Sequence, residues 1–334
     1  MWTVEARAVD LQLAERFTIS RESWDVASNV FVEVGYGDRK GIGEVSPDPS
    51  WGDSVEDVMA AVEGADLSAL AGPFDLEGIL DVLPPGPARC ALDIALHDLA
   101  GRLAGVSLSV LLGVQGRKRP PTSITVPIAE PDEMLERTRL LADHPVIKTK
   151  VGFAGDVEVV ARIREVFDGD LRVDANEGWT AGQAITALKE LEPLGIELCE
   201  QPIPRGDHEA LAEVAASTSI PVFADEDVCT AGDVAALSGV VDGVNLKLRK
   251  TGGIREALRA VATARSLGMG VMLGCDLESG VAATAQAHLC ALVDHADIDG
   301  PLLLAADPCP GVAYERGRVT VPQAPGLGVK GRPW

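Results

Sequence analysis

The chain has 334 residues, 46% of them hydrophobic, with 51 acidic against 29 basic side chains and a formal net charge of -22. That length suits either a large α/β barrel or two domains, and the apolar share is enough for a sizeable core. The acidic excess argues against a nucleic-acid or anionic-membrane surface, since both need a basic footprint.

The first residues alternate as strands, in VEARAVDLQL and then NVFVEVGYG, which ends in a turn. GIGEVSP and the loop DPSWGDS follow. Three helical stretches come next: SVEDVMAAVEGA, with Ser54 as its cap and Asp57 three residues on, then DLEGIL, then PARCALDIALHDLAGRLAG. Residues 1–118 therefore read as an α+β unit. The opening MWTVEARAVDL has no long apolar run, so no signal peptide or membrane span is predicted, and a cytoplasmic protein is expected. Six cysteines, none in a CxxC pair, read as reduced buried thiols.

From Thr122 the pattern becomes a strand-then-helix beat. Strands are predicted at SITVPI, VIKTKVG, LRVDAN, IELCEQP, PVFADED, GVNLKL, GVMLGC and ADIDG. Eight such units predict a parallel sheet closed as a (β/α)8 (TIM) barrel over residues 119–306. Residues 307–334 read as a tail with one strand, RVTV, that returns to the first domain or closes the barrel.

In such a barrel, chemistry gathers at the C-terminal strand ends. Lys148 and Lys150 lie two apart and so share one face of the second barrel strand. The following strands end in Asp174 and Asn176, Glu200, Asp225 and Glu226, Asn245 and Lys247, Asp276 and Glu278, and Asp297 and Asp299. Singly, each is weak: acids such as Asp207 and Asp227 often cap the next helix, and Asp299 before Gly300 suits a turn. Six consecutive charged strand ends, second to seventh, argue for a site. Asp174, Glu200 and Asp225 come from adjacent strands and would repel one another unless a hard divalent cation, best Mg²⁺, sat among them. No His or Cys stands there in a ligand pattern, which argues against zinc. Lysines flanking that arc suit proton transfer on both faces of a carbon, with lysine pKa values lowered by neighbouring cations. The metal would hold a substrate carboxylate and stabilise the enediolate left when the α-proton departs.

Taken in order, IKTKVG, VDANEGW, CEQPI, FADED and NLKLRKTGGI resemble the barrel motifs of the enolase superfamily, nearest its muconate-lactonising subgroup. ALDIALHDLAGRLAG is similar to that family's capping-domain helix, and GIGEVSP to the strand-turn before its mobile loop. The resemblance covers nearly the whole chain and implies an α+β capping domain on a modified (β/α)8 barrel. It implies Lys150 and Lys247 as opposed acid/bases, Lys148 as a helper contacting the substrate carboxylate, and Asp174, Glu200 and Asp225 as Mg²⁺ ligands.

HADIDGPLLL resembles the D-x-D segment of dipeptide epimerases of the L-Ala-D/L-Glu type, which implies that Asp297 and Asp299 grip a substrate's free amino group. Paired carboxylates suit an ammonium and repel anionic muconate or succinylbenzoate. The implied reaction is Mg²⁺-dependent epimerisation at the C-terminal residue of a dipeptide, in a homo-oligomer with no nucleic-acid or membrane partner. An o-succinylbenzoate synthase or muconate cycloisomerase, or a catalytically silent metal-binding relative acting through a partner, are the alternatives.

The resemblance predicts an apolar residue at 276. Asp276 instead either seats a cationic substrate side chain or caps the next helix. Arg21, in the first capping loop, would face an acidic side chain, and Asp48 and Trp51 occupy the second loop. Thr125 and Glu278 complete the expected substrate contacts. The first βα unit, with EMLERTRLLADH as its helix, reads as clipped.

Overall fold

A computed structural model describes residues 1–334. Strands β1 (Trp2–Thr18), β2 (Ser23–Tyr36) and β3 (Arg39–Val45) form an antiparallel sheet. Asn29, Val30, Phe31 and Val32 are all fully buried, so the sheet is covered on both faces at its centre. One cover is the helix Pro87–Ala104, buried almost without interruption from Arg89 to Gly101. The GIG of the β3 segment explains the close packing: a Cβ on Gly41 or Gly43 would collide with the helix backbone at Ala95 or Ala91. Ser54 caps the helix Val55–Glu63 by accepting from the Asp57 amide at 3.0 Å, as its spacing predicts.

Eight parallel strands follow: β4 (Ile124–Val126), β5 (Val146–Lys150), β6 (Asp170–Asp174), β7 (Ile196–Glu200), β8 (Val222–Ala224), β9 (Gly243–Lys247), β10 (Gly270–Gly274) and β11 (His295–Asp297). They are hydrogen-bonded in sequence order, and a bridge between Thr122 and Ala296 closes the ring between β11 and β4. Inside the ring Leu198, Phe223 and Met272 form a small apolar cluster of their own. The Phe223 ring fills the space beside Gly243 and Gly270, at the starts of β9 and β10. That apolar plug leaves the opposite, C-terminal mouth to the polar side chains.

The first βα unit is not clipped. Its helix, Pro131–Leu140, has 10 residues against 11 in the next. Pro131 in the first turn, followed by Asp132 and Glu133, starts it promptly. The shortened units are later: the helix after β8 has 6 residues, and β11 is followed only by a 3-10 turn at Gly300–Leu303. The tail holds a hairpin rather than one strand, with β12 (Ala313–Glu315) paired to β13 (Arg318–Thr320). It then runs back to the first domain, where the Leu327 amide donates to Asp98 at 2.8 Å and Trp334 packs edge-on against Phe31. All six cysteines are free, and no helix is long and apolar enough to cross a membrane.

Candidate active site

The barrel mouth and the capping sheet enclose a cavity of about 440 Å³. The β1–β2 turn and the 46–56 loop form its roof, and Lys148, Lys150, Asp225, Lys247, Asp276, Asp297 and Asp299 line its barrel side. Strand register places them. Lys150, Asp174 and Glu200 stand opposite one another across β5, β6 and β7, and Lys247 is level with Gly274 on β10, itself level with Asp297.

Each ammonium is held by carboxylates. Lys150 Nζ lies 2.6 Å from Asp174 Oδ2 and 2.8 Å from Asn176 Oδ1. Lys148 Nζ lies 3.2 Å from both Asp174 and Glu200 and also bonds Asp297. Lys247 Nζ is 3.1 Å from Asp225 Oδ2 and 3.6 Å from Asp276 Oδ1. Burial opposes the charge on Lys148 and Lys247, but the surrounding acids outweigh it and hold both well above the ordinary lysine value. The protein's own acids thus raise these two, opposite in direction to the lowering that a bound cation would supply.

The acids are forced apart in titration. Burial and Asp174 push the Glu200 carboxyl up to about 8 despite Lys148. Burial would raise Asp174 too, but Lys150 and Lys148 hold it at about 2. Asp225 lies well below the carboxylate range because Lys247 and Lys250 overcome its burial. Lys250 was not foreseen. Its Nζ sits 2.5 Å from Asp225 Oδ1, and it is buried on the short helix Leu248–Thr251. The legible signal was its position three residues beyond Lys247, one helical turn past the strand end.

Asp174, Glu200 and Asp225 offer hard oxygen donors from three adjacent strands, and the donor chemistry fits Mg²⁺. Their oxygens do not already converge on one point, because each carboxylate is turned toward an ammonium. Asp174 and Glu200 lie beneath the cavity floor, 1% and 0% exposed, reached through Lys150 and Lys148. The crowding that lifts Glu200 is what a divalent cation relieves.

On the other arc, Asp297 accepts from Ser123 Oγ at 2.5 Å and pairs with Lys148, which outweighs burial and lowers it. Asp299 accepts the Thr125 amide at 2.7 Å, and burial and Asp297 push it up to about 6. It makes no side-chain capping bond to the turn that follows, so turn chemistry does not account for it. Asp276 does not cap its helix either, since Ser279 does. It bonds Arg249 Nε at 2.9 Å. Glu278 does not reach the cavity; it is buried behind it, accepting from Gln286 at 2.7 Å, with burial and Asp276 raising it to about 8. Arg21 lines the roof but is engaged, 2.5 Å from Glu177 and 3.1 Å from Glu226. Asp207 caps its helix as its place suggests, whereas Asp227 ties the Gly206 amide and Gln201 instead.

A parallel eight-stranded ring under an N-terminal antiparallel cap, with opposed lysines and acids at its mouth, defines a class. Residues 1–113 match the mandelate racemase / muconate lactonizing enzyme N-terminal domain, and residues 132–333 match the enolase C-terminal domain-like family. The chain belongs to this branch of the enolase superfamily. It is 39% identical over 327 residues to an L-Ala-D/L-Glu epimerase of Bacteroides thetaiotaomicron, covering 96% of this chain and 85% of that one. A hydrophobic dipeptide epimerase of Roseobacter litoralis is 35% identical, with 97% and 98% covered. The crystal structure of a dipeptide epimerase from Cytophaga hutchinsonii, complexed with Mg and D-Ala-L-Val, superposes with a TM-score of 0.91 at 33% identity, over 98% and 95% of the chains.

Proposed function

We propose that the protein is an isomerase that epimerises dipeptides, moving the α-proton of the C-terminal residue between two lysines. The observation that carries this reading is the order of charges around the mouth. Lys150 on β5 and Lys247 on β9 are four strands apart in a ring of eight, on opposite sides of one cavity. Between them on one arc lie Asp174, Glu200 and Asp225, and on the other arc Asp297 and Asp299. A dipeptide has a carboxylate at one end and an ammonium at the other, and fits that polarity.

Asp174, Glu200 and Asp225 would hold Mg²⁺, which supplies positive charge against the substrate carboxylate as the α-proton leaves. The rest is work for the chain. Asp297 and Asp299 hold the ammonium and fix the register of the substrate. Lys150 or Lys247 removes the proton and the other returns one to the opposite face, inverting the centre. Lys148, bonded to Asp174, Glu200 and Asp297, stands on the floor and bridges the two acidic groups. The named relatives and the Mg-bound dipeptide neighbour support this reading. An anionic lactone or succinylbenzoate offers Asp297 and Asp299 no ammonium to hold.

Incubation of the protein and Mg²⁺ with a panel of L-Ala-L-Xaa dipeptides, followed by chiral chromatography, tests it. Appearance of L-Ala-D-Xaa is the expected result. Turnover of an anionic lactone with no dipeptide converted would overturn it.

A further inference from the structure

Two charged groups in the roof and wall could select a charged substrate side chain: Arg21 for an acidic one and Asp276 for a basic one. The structure fills both seats from within. Arg21 is clamped by Glu177 and Glu226, and its remaining reach goes to the Asn176 carbonyl at 3.3 Å. Asp276 has its Oδ2 on Arg249 and its Oδ1 near Lys247.

Arg249 is the cation that fills the acidic wall. It is 3% exposed yet lines the cavity, beside the lysine that would reach the substrate carbon. Its guanidinium meets three carboxylates on three sides, with Asp276 at 2.9 Å, Asp53 at 3.3 Å and Asp48 at 3.4 Å. The pairs run from barrel to capping domain, so one side chain ties the 48–53 loop down over the cavity. Trp51 of that loop is held further by Arg249 at 5.4 Å and Arg205 at 4.1 Å from its ring centroid. Three donors spread around one plane, each on a different carboxylate, are what arginine provides and lysine does not. The face left to a substrate side chain is the aromatic ring of Trp51 and the apolar Phe17, Ile19, Trp24, Val26 and Leu277.

Resting on the dipeptide reading above, we infer that the enzyme selects dipeptides with uncharged side chains, and that Arg249 is the specificity-determining residue that excludes cationic ones. Arg249 is a built-in occupant of the acidic wall. A substrate lysine or arginine would have to displace it, leaving a buried guanidinium without partners. The Arg21 cluster acts likewise against acidic side chains, since a substrate carboxylate would compete with Glu177 and Glu226.

The test measures kcat/KM for L-Ala-L-Leu, L-Ala-L-Lys and L-Ala-L-Glu with the Mg²⁺-loaded wild type and with Arg249→Met. The wild type is expected to favour the leucine substrate over both charged ones by roughly tenfold or more, the scale of one charge pair. Arg249→Met frees Asp48, Asp53 and Asp276, so the Lys/Leu ratio should rise by roughly tenfold or more while the Glu/Leu ratio does not. A loss of general order would lower all three together and move neither ratio. The paired variant Arg249→Met/Asp276→Met removes one of the three freed acids, leaving Asp48 and Asp53, and should lower the Lys/Leu ratio below that of Arg249→Met. A wild type that prefers lysine or glutamate overturns the inference whether or not the variants fold, as does an unchanged Lys/Leu ratio in folded Arg249→Met. If the wild type epimerises no dipeptide at all, the functional reading falls, and this inference with it.

Discussion

Lys150 and Asp174 stand opposite each other in register on β5 and β6, with Nζ 2.6 Å from Oδ2. A proposed proton carrier and a proposed metal ligand are thus fixed by the same pair of strands. The spacing of the chemistry follows from backbone pairing, with no flexible loop between the two groups.

Replacing either proton carrier removes one face of the reaction. Lys150→Ala and Lys247→Ala should each lower kcat for epimerisation by about 10²–10⁴-fold, the usual worth of a general acid or base. Steady-state assay with an L,L-dipeptide checks this, with circular dichroism confirming that the variants fold. A variant that keeps near-full turnover would remove that lysine from the mechanism.

Asp299 is predicted to recognise the amino terminus. Asp299→Asn should lower kcat/KM for a free dipeptide by about 10²-fold or more, within the range for truncating a buried charge contact. An N-acetylated dipeptide, which has no ammonium, should be a poor substrate for the wild type and lose little further in the variant. Equal losses on both substrates would assign Asp299 a structural role.

Lys250 contributes through Asp225. With Lys250→Met the buried carboxylate keeps only Lys247, and losing one partner of such a pair costs about 3–5 kcal/mol. Urea denaturation without divalent cation should show that loss. Mg²⁺ should restore part of it, since a ligand bound only by the folded state adds to stability. An unchanged midpoint in Lys250→Met would contradict the assignment.

His288 should make the fold sensitive to mild acid. Its Nε2 is 3.3 Å from the Leu327 carbonyl, which can only accept, so Nε2 carries the proton and Ser109 donates to Nδ1 at 2.6 Å. Burial lowers the ring to about 4 from 6.5, only partly opposed by the Leu327 carbonyl. The folded state thus resists protonation, and stability is kept above pH 6.5 and lost as pH falls toward 4. The loss attributable to this ring is on the order of 3 kcal/mol. The wild type should lose that much more than His288→Gln across this window in denaturant titrations at successive pH values.

The barrel was legible in the sequence because eight short apolar runs recur, and five of them carry or end in polar residues two apart, a spacing that aims side chains the same way. That is why Lys148 and Lys150, or Asp297 and Asp299, could be read as pairs. Their partners could not. Arg249 meets Asp48 and Asp53 across some 200 positions, and nothing local in NLKLRKTGGI points to them. Asp276 looked like a free acid or a cap for the same reason: its cation arrives from the short helix after β9, and Ser279 takes the cap. Glu278 shares the alternation of a strand end, but the chain turns after Gly274 and carries it behind the wall. The reading of a clipped first unit failed because helix length is set by where the caps fall, and Pro131 starts that helix earlier than its apolar residues suggest.

The central claim is that two lysines exchange the α-proton of a dipeptide. It is tested most directly by α-deuterium incorporation in D₂O. Wild-type protein with Mg²⁺ and an L,L-dipeptide should show deuterium at the C-terminal residue's α-carbon in the inverted product by mass spectrometry and NMR. Lys247→Ala and Lys150→Ala should each slow inversion by the same factor of roughly 10²–10⁴, with exchange surviving for opposite isomers in the two variants. No α-deuterium in any dipeptide of a broad L,L panel would contradict the account.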